Sequence, residues 1–327
     1  MTSLSRLTIF ALAAWSVNAA KAPSVDIPNV TTSALWQDRG DVGKLDLLDG
    51  PGGKDHQPQG PFKFLHEDNE GTSPKFDVVD AKGKRWRVKL GEESQAETAA
   101  TRLLWAAGYY ADDDYYQREL RVEGMEKLHR GEKFVTSDGV ITGARLELKP
   151  SGQKKVGNWD WFNNPFVGTQ ELDGLRVMMA LVNNWDLKTV NNSIYRKKNG
   201  EIRYVVSDMG ASFGKTGNPA TRSKNDFRDY YHSHFIEKET PEKVDFFMKS
   251  RPLAIQMVDP ANYAKRTHME GVTKNIPRAH AKWLGQILAQ LSDAQITDCF
   301  KAAGYGPDDA AIFVGVVRER INALAGL

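Results

Sequence analysis

Residues 183–210 read NNWDLKTVNNSIYRKKNGEIRYVVSDMG and contain the most informative pattern in the chain. Two strand-like segments, SIYR and EIRYVV, flank KKNG, whose Asn-Gly pair predicts a hairpin turn because both residues tolerate positive φ. The segment places Asp186 five positions before Asn191 and delivers Asp208 at the end of the second strand. Carboxylate and amide oxygens are hard ligands that suit magnesium, so a polar site is expected at the base of this hairpin.

A loop carrying Asp and Asn, a short hairpin and then Asp-x-Gly is typical of kinase-type phosphotransferases, where it gathers a catalytic base and magnesium ligands. In this interpretation Asp186 is the catalytic base, and Asn191 and Asp208 are the metal ligands. Asn184 and Trp185 stand where protein kinases carry His-Arg, so the chain departs from an ordinary protein kinase. Each motif alone is also common turn chemistry, and only their joint order and spacing favour phosphoryl transfer.

The composition indicates a soluble, globular protein. The chain has 327 residues, 40% of them hydrophobic and 26% charged, which suits one large or two ordinary domains with a sizeable core. The 44 basic and 42 acidic residues give a formal charge of +2, so no electrostatic footprint for nucleic acid is present.

The first twenty residues predict a secretory signal peptide and therefore an exported protein, periplasmic or secreted. Arg6 precedes the apolar run LTIFALAAW, and Val17 to Ala19 offer the small residues of a cleavage site. No later segment supplies ~18 consecutive apolar residues, so no membrane-spanning helix is expected in the mature chain. The single Cys299 cannot form an intramolecular disulfide and is expected to be a buried thiol.

Residues 21–60 are rich in Pro, Gly and Asp and predict an extended arm that leads into the fold. Order is expected from Phe62 onward, where FDVVD and RWRVKL predict two strands. In the second strand Trp86 and Val88 alternate with polar residues, so Lys89 projects from the opposite face. An exposed strand lysine would give the same pattern.

The segment SQAETAATRLLWAAG predicts a helix that stops at Gly108. Ser94 and Glu97 fit a capping box, in which Glu97 would reach back to the Ser94 backbone N–H. A kinase would instead use this glutamate to hold Lys89 over the nucleotide phosphates. The sequence leaves both roles of Glu97 open.

The order of Gly71, Ser73, Lys75, Lys89 and Glu97 resembles the N-lobe of HipA-type kinases, the atypical kinases of toxin–antitoxin systems that are related in fold to phosphatidylinositol kinases. The positions Asp186, Asn191 and Asp208 are similar to the catalytic-loop and metal-binding positions of that family. The resemblance covers roughly residues 71–214.

The resemblance implies a two-lobed, protein-kinase-like α+β fold that binds ATP and Mg2+. The β-rich N-lobe would span 61–149 and the helical C-lobe 150–327. The implied roles are phosphate contacts from Gly71, Thr72, Ser73, Lys75 and Lys89, an orienting carboxylate on Glu97, and adenine contacts from the backbone of Leu146, Glu147 and Leu148.

Two features depart from the family. Arg87 shares a strand face with Lys89, where kinases place a small or apolar residue against adenine, and the export signal is foreign to cytoplasmic toxins. The hypothesis is therefore transfer of the ATP γ-phosphate to a hydroxyl acceptor, with a protein Ser or Thr favoured over a lipid or small molecule. A secreted pseudokinase that binds nucleotide or scaffolds without catalysis is the alternative, and an unrelated α+β domain is a third.

The remaining segments complete the expected architecture. VTSDGVITGARLELKP predicts a strand pair, ELDGLRVMMALVNNW predicts a buried helix that presents Asp186, and residues 210–234 predict a long polar loop. His232 and His234 are expected to be surface residues. The C-terminal helices are predicted in PEKVDFFMKS, AHAKWLGQILAQL, SDAQITDCFKAAG and AAIFVGVVRERINAL, with a capping box at Ser292 and Gln295.

Overall fold

The protein has a mixed α+β fold, as predicted, in a computed structural model that describes residues 27, 29–71, 73–218, 220–250 and 259–327. The predicted signal peptide and Thr72 lie outside the described residues.

The N-terminal sheet closes into a five-stranded barrel with the strand order β1-β2-β3-β5-β4. Its strands are β1 (Phe62–Asp68), β2 (Lys75–Val79), β3 (Arg85–Leu90), β4 (Asp114–Glu123) and β5 (Val140–Leu148). Parallel pairing of β1 with β4 closes the barrel, and the other neighbouring strands are antiparallel. The predicted β2 and β3 are confirmed, with Trp86 and Val88 fully buried inside the barrel.

The prediction of a strand pair within VTSDGVITGARLELKP is wrong. The segment supplies only β5, which lies between β3 and β4. Its antiparallel partner β4 comes from an acidic and aromatic stretch in which no strand was predicted. Polar and aromatic residues such as Gln117 and Tyr116 alternate there without a clear apolar face, so the period-2 signal is weak.

Helix α1 (Glu93–Ala106) follows β3 directly and carries a fully buried apolar stripe that includes Ala96, Ala99 and Leu103. This stripe joins the core of the C-terminal helices, not the core of the barrel. The helix ends just before Gly108, as predicted, and Gly108 has φ +101°. A Cβ at Gly108 would lie 2.1 Å from Nε1 of Trp36, so glycine is required for this close approach.

The predicted hairpin is confirmed as β7 (Asn192–Lys197) and β8 (Ile202–Val206), with Gly200 in its turn at φ +87°. Strand β6 (Gln153–Asn158) adds to the β7 edge to give a three-stranded sheet. Helix α2 (Gln170–Leu181) precedes the hairpin, as predicted, and the Thr169 side chain caps it by accepting a hydrogen bond from the Leu172 N–H.

The C-terminal part combines helices with a second small sheet. The helices are α3 (Phe227–Tyr231), α4 (Pro260–Gly271), α5 (Arg278–Leu288), α6 (Asp293–Ala302) and α7 (Pro307–Gly326); the sheet contains β9 (Ile236–Glu239), β10 (Lys243–Phe246) and β11 (Ile276–Pro277). The capping box of Ser292 and Gln295 is confirmed at the start of α6. Cys299 is buried, and His232 and His234 are exposed, as predicted.

The predicted helix in PEKVDFFMKS is wrong because this segment forms strand β10. Val244, Phe246 and Met248 are buried, whereas Lys243 and Lys249 are exposed. This alternation has the period of a strand with one buried face. Pro241, at the start of the segment, lies in the turn between β9 and β10.

The segment from residue 29 to residue 60 is irregular, with three short 3-10 turns, but it is docked into the core. Leu35, Val42 and Leu47 are buried in the C-terminal core cluster. Arg39 donates hydrogen bonds to the backbone oxygens of Trp105, Gly108 and Tyr109 at the end of α1. Among the described residues, no helix is long and apolar enough to cross a membrane.

Candidate active site

Lys89 is the centre of the candidate site and contacts three carboxylates. Its Nζ lies 2.6 Å from Oε2 of Glu93, 3.0 Å from Oε2 of Glu97 and 3.4 Å from Oδ1 of Asp208. Burial lowers the pKa of the ammonium, but Glu97, Asp208 and Glu93 outweigh burial and raise it well above its usual range. Lys89 is therefore a buried cation that three carboxylates stabilise.

The structure decides between the two roles that the sequence left open for Glu97. The first turn of α1 carries no side-chain cap, and the Ser94 hydroxyl instead donates to the backbone oxygen of Lys89 at 2.8 Å. Glu97 binds Lys89 Nζ through Oε2 and Arg145 Nη1 through Oε1, at 3.0 and 3.1 Å. The capping-box interpretation is wrong because Ser94 lies inside the helix and the side chains of both residues have these other partners.

Arg145 extends the ion pairs of Glu97 to two further carboxylates. Besides Glu97, its guanidinium lies 3.0 Å from Oδ1 of Asp114 and 3.0 Å from Oε2 of Glu147. Burial raises the pKa of Glu97 to about 7, against the lowering effect of Arg145 and Lys89. Burial likewise raises the pKa of Asp114 to about 6, against Arg145. The Lys89–Glu97 pair is thus one end of a buried ion-pair network, defined here as Lys89, Glu97, Arg145, Asp114 and Glu147.

Glu93 joins elements that are far apart in the sequence. Its Oε2 accepts from the Ser73 hydroxyl at 2.8 Å and contacts Lys89, while its Oε1 lies 2.6 Å from Nζ of Lys224. Burial raises the pKa of Glu93, but Lys89 and Lys224 outweigh burial and lower it to about 2. A Cβ at Gly210 would lie 2.8 Å from Cβ of Glu93, which explains the glycine after Asp208. Glu93 therefore forms an ion pair with the Lys89 ammonium on the side that faces Ser73 of the predicted phosphate loop.

Asp186 lies in the loop after α2, and its carboxylate is held from two sides. Lys188 Nζ is 2.6 Å from Oδ1, and Asn191 Nδ2 donates to the Asp186 backbone oxygen at 2.7 Å and to Oδ2 at 3.2 Å. The Asp186 N–H donates to Oδ1 of Asn184. These contacts bring the predicted Asp186 and Asn191 together and fix the orientation of the carboxylate.

The oxygen atoms of Asn191 and Asp208 fit a hard divalent cation. Ser207 N–H donates to the Asn191 backbone oxygen at 2.8 Å, which places Asn191 beside the strand end that carries Asp208. Within the described residues, Oδ1 of Asn191 and Oδ2 of Asp208 have no hydrogen-bond or ion-pair partner, so both remain available as ligands. The described residues contain no group of three or more His, Cys, Asp or Glu side chains that could hold a metal by themselves.

The predicted phosphate loop lies against α1. Gly71 has φ +68°, and its backbone oxygen accepts from Arg130 Nη1 at 2.6 Å. Ser73 is linked to Lys89 through Glu93, whose Oε2 accepts from the Ser73 hydroxyl and contacts Lys89. Thr72 lies outside the described residues, so its predicted phosphate contact stays a prediction.

Lys75 and Arg87 line the same outer face of the barrel as Lys89. Lys75 is the cross-strand neighbour of Lys89, and its Nζ lies 3.5 Å from Oδ2 of Asp68. Arg87 shares the face of Lys89, as predicted, and pairs with Asp68 and Asp77 at 2.9 Å each. The surface on which adenine is expected to bind therefore carries charged side chains, and these form ion pairs with one another.

The predicted hinge residues are already engaged in the barrel. Leu146 packs in the barrel core, Glu147 pairs with Arg145, and the Leu148 N–H donates to the Asp113 oxygen at 3.0 Å. All three lie in β5, which has strands on both sides. Adenine contacts from their backbone stay a prediction.

A cavity of about 410 Å³ lies outside the Lys89 cluster, between the docked N-terminal segment, the chain entering β4 and the β6–β8 sheet. Asp112, Tyr195 and Arg39 are among its lining residues, and Leu148 is the predicted site residue that lines it. The cavity therefore does not coincide with the contact between Lys89 and Asp208.

Sequence reasoning missed Glu93, Arg145 and Lys188. Glu93 lies one helical turn before Glu97, a spacing that places both carboxylates on one face of α1, so the sequence did carry a signal for it. Lys188 lies two residues after Asp186 within the recognised loop. Arg145 carried no local signal, because its partners Glu97 and Asp114 come from α1 and β4.

Comparison with known proteins gives three solved kinase structures among eight matching chains. The Helicobacter pylori proinflammatory kinase CtkA is 9% identical over 81% of this chain and 96% of that chain, with a TM-score of 0.46. The Golgi casein kinase with Mn/ADP bound is 12% identical over 80% of this chain and 74% of that chain, with a TM-score of 0.34. A second crystal structure of the Golgi casein kinase is 13% identical over 82% of this chain and 76% of that chain, with a TM-score of 0.33. No family model and no curated protein matches the chain. At these identities and TM-scores, functional inference rests on the side-chain geometry described above.

Proposed function

We propose that the chain is a two-lobed, kinase-like phosphotransferase that moves the γ-phosphate of ATP to a hydroxyl acceptor. The observation that carries this proposal is the convergence on Lys89 of Glu97 from α1 and Asp208 from the end of β8, at 3.0 and 3.4 Å. Asp208 is 119 positions away from Lys89, so the contact depends on how the barrel packs against the β7–β8 hairpin. A buried lysine paired with a helix carboxylate beside an Asp-x-Gly aspartate is the arrangement that kinases use to neutralise phosphate.

Each residue has a role in this proposal. Lys89 neutralises phosphate charge, Glu97 fixes the lysine, and Asp186 receives the hydrogen bond of the acceptor hydroxyl. Asn191 and Asp208 offer the oxygen atoms that would hold Mg2+, which when bound neutralises the phosphate oxygens. Positioning and charge neutralisation carry most of the rate in such transfers, so preorganisation by the buried ion-pair network is the main contribution of the fold. On the basis of residues 1–20 alone, we also propose that the protein acts outside the cytoplasm.

Calorimetric titration with ATP, with and without MgCl2, tests the nucleotide site on the purified chain. We expect Mg2+ to strengthen ATP binding, and we expect Asp208→Asn to remove most of this enhancement while the fold is retained. Asp138→Asn is the control, because Asp138 is an exposed turn residue that pairs with Arg121. An unchanged Mg2+ enhancement in Asp208→Asn would return Asp208 to the role of a turn residue.

The second candidate is a pseudokinase that binds nucleotide without transfer. It is favoured by the ion pairs of Arg87 with Asp68 and Asp77, which occupy the face where adenine is expected. Incubation with radiolabelled ATP and a mixed protein acceptor separates the two candidates. Mg2+-dependent binding without transfer to any hydroxyl would favour the pseudokinase.

A further inference from the structure

The loop after Asp208 brings positive charge toward Asp186. Residues 209–225 read MGASFGKTGNPATRSKN and contain three basic residues and no acidic residue. Lys215 and Lys224 are neutralised by ion pairs with Asp229 and Glu93. Among the described residues, no carboxylate lies within ion-pair distance of Arg222, so this guanidinium remains available to an anion.

Arg222 is held in place without a carboxylate. Its guanidinium carbon lies 3.9 Å from the centroid of the Trp185 ring, and the Trp185 indole N–H donates to the Ser223 oxygen at 2.8 Å. The Arg222 N–H donates to the Asn218 oxygen at 2.9 Å. Stacking fixes the plane of the guanidinium while its N–H groups stay free to bind, which lowers the entropic cost of engaging an anion.

Asp186 directly follows Trp185, on whose ring the Arg222 guanidinium stacks at 3.9 Å, so the guanidinium lies beside the loop that carries Asp186. Burial and the neighbouring Arg266 lower the pKa of Arg222, whereas Asp186 raises it. Lys188 contacts Asp186 directly. The position where an acceptor hydroxyl would meet Asp186 therefore has a cation on Lys188 and a second, unpaired cation on Arg222.

We propose that Arg222 determines acceptor specificity by binding a carboxylate next to the accepting hydroxyl, so that the acceptor is an acidic segment of a polypeptide. The inference rests on the proposed role of Asp186. A guanidinium binds a carboxylate through two parallel N–H···O bonds. Arg222 is half-buried on its loop, so part of its side chain is open to solvent, and an extended chain can lie across such a surface.

Fluorescence anisotropy with labelled serine peptides tests the proposal independently of catalysis. One peptide flanks the serine with Glu, and its partner carries Gln at the same positions. The purified chain should bind the Glu peptide roughly tenfold more tightly, the size expected for one charge-assisted hydrogen-bonded pair. Arg222→Gln should abolish the preference, and Arg222→Lys should restore part of it because the charge remains but the planar fork is lost.

Arg228→Gln is the matched control. Arg228 lies in the neighbouring α3, is exposed and stacks over Phe227 at 5.5 Å, so this variant removes one positive charge from the same region without touching Trp185. The control should keep the preference for Glu. Equal melting temperatures of the variants would show that folding is not the cause of any difference.

Three outcomes would overturn the proposal: equal binding of the two peptides, a preference that survives Arg222→Gln, or a preference lost equally in Arg228→Gln. Arg222-dependent binding to anionic phospholipid vesicles without a peptide preference would overturn it in favour of a lipid acceptor. Phosphate transfer is scored separately. If the Arg222-dependent preference is found but no transfer occurs, the proposed phosphotransferase activity fails while the acidic recognition stands.

Discussion

The side chains of Glu97 and Arg145 are 2% and 4% exposed, whereas those of Asp186 and Asp208 are 20% and 36% exposed. The candidate site therefore has two halves that differ in how their charges are solvated. The barrel half contains Glu97 and Arg145, and the hairpin half contains Asp186 and Asp208. In the barrel half, removal of ions from water is offset by dense mutual pairing, which locks the geometry. In the hairpin half, charges keep contact with water and can exchange partners. In the proposed function, the first half sets the position of the charged groups, and the second half binds the metal and the acceptor.

The largest expected effect is on turnover in the hairpin half. Asp186→Asn removes the carboxylate that would receive the acceptor proton, and such a loss typically lowers kcat about 10²–10⁴-fold. Because Asp186 is partly exposed, the free energy of unfolding should change by less than about 1 kcal/mol. Steady-state kinetics and urea unfolding of the same preparation measure both quantities. An active Asp186→Asn enzyme would remove Asp186 from the chemistry.

The next effect is on stability in the barrel half. Arg145→Leu leaves Glu97, Asp114 and Glu147 buried without their shared cation, and breaking a buried pair costs about 3–5 kcal/mol. The control is Arg121→Leu, because the Arg121–Asp138 pair is exposed and such pairs contribute about 1 kcal/mol or less. Urea unfolding measures both variants. Similar losses for the two arginines would show that the buried ion-pair network contributes no special stability.

Glu93 lies between the halves and should give a pH-dependent effect. Its pKa falls from 4.5 to about 2 on folding, so the ionised carboxylate stabilises the protein above pH 4.5, and this contribution is lost as pH falls towards 2. Relative to Glu93→Gln, the wild-type advantage should be on the order of 3 kcal/mol near neutral pH and should shrink below pH 4.5. Unfolding titrations across this range measure the difference, and Glu123→Gln at the exposed end of β4 should show none. A difference that is constant with pH would contradict the assignment.

The smallest effect distinguishes two serines near helix starts. Ser292→Ala removes a true cap and Ser94→Ala removes a buried hydrogen bond to the Lys89 oxygen, so each should cost about 1 kcal/mol. Aspartate accepts hydrogen bonds at a cap, so Ser292→Asp should retain stability. Ser94→Asp should not, because a carboxylate cannot donate to a carbonyl. Thermal unfolding of the four variants is the measurement. Retained stability in Ser94→Asp would support the capping-box interpretation of Ser94.

Local patterns were sufficient to predict β2, β3, α1, α2 and the β7–β8 hairpin. Each of these elements has a clear apolar period or turn signal within a few residues, and the chain order of Lys89, Glu97, Asp186 and Asp208 was visible for the same reason. Their mutual distances depend on how the barrel and the hairpin pack, which no local pattern contains.

The errors have physical causes. Strand β10 was predicted as a helix because a short apolar run fits both periods, and only its pairing with β9 and β11 decides between them. The Ser94–Glu97 spacing fits a capping box, but burial against β3 gives both side chains other partners. Arg145 was missed because a polar residue on β5 gains its partners from α1 and β4.

The docked N-terminal segment has a consequence for biosynthesis. Gln295 donates two hydrogen bonds to the backbone oxygens of Val42 and Leu45, across 253 and 250 positions. A ribosome adds about 5–20 residues per second, so Val42 and Leu45 are made roughly 12–50 s before Gln295, whereas the end of α1, which Arg39 contacts, is made much sooner. The contacts of this segment with α6 therefore form only after most of the chain has been made, and its contacts with α1 can form first.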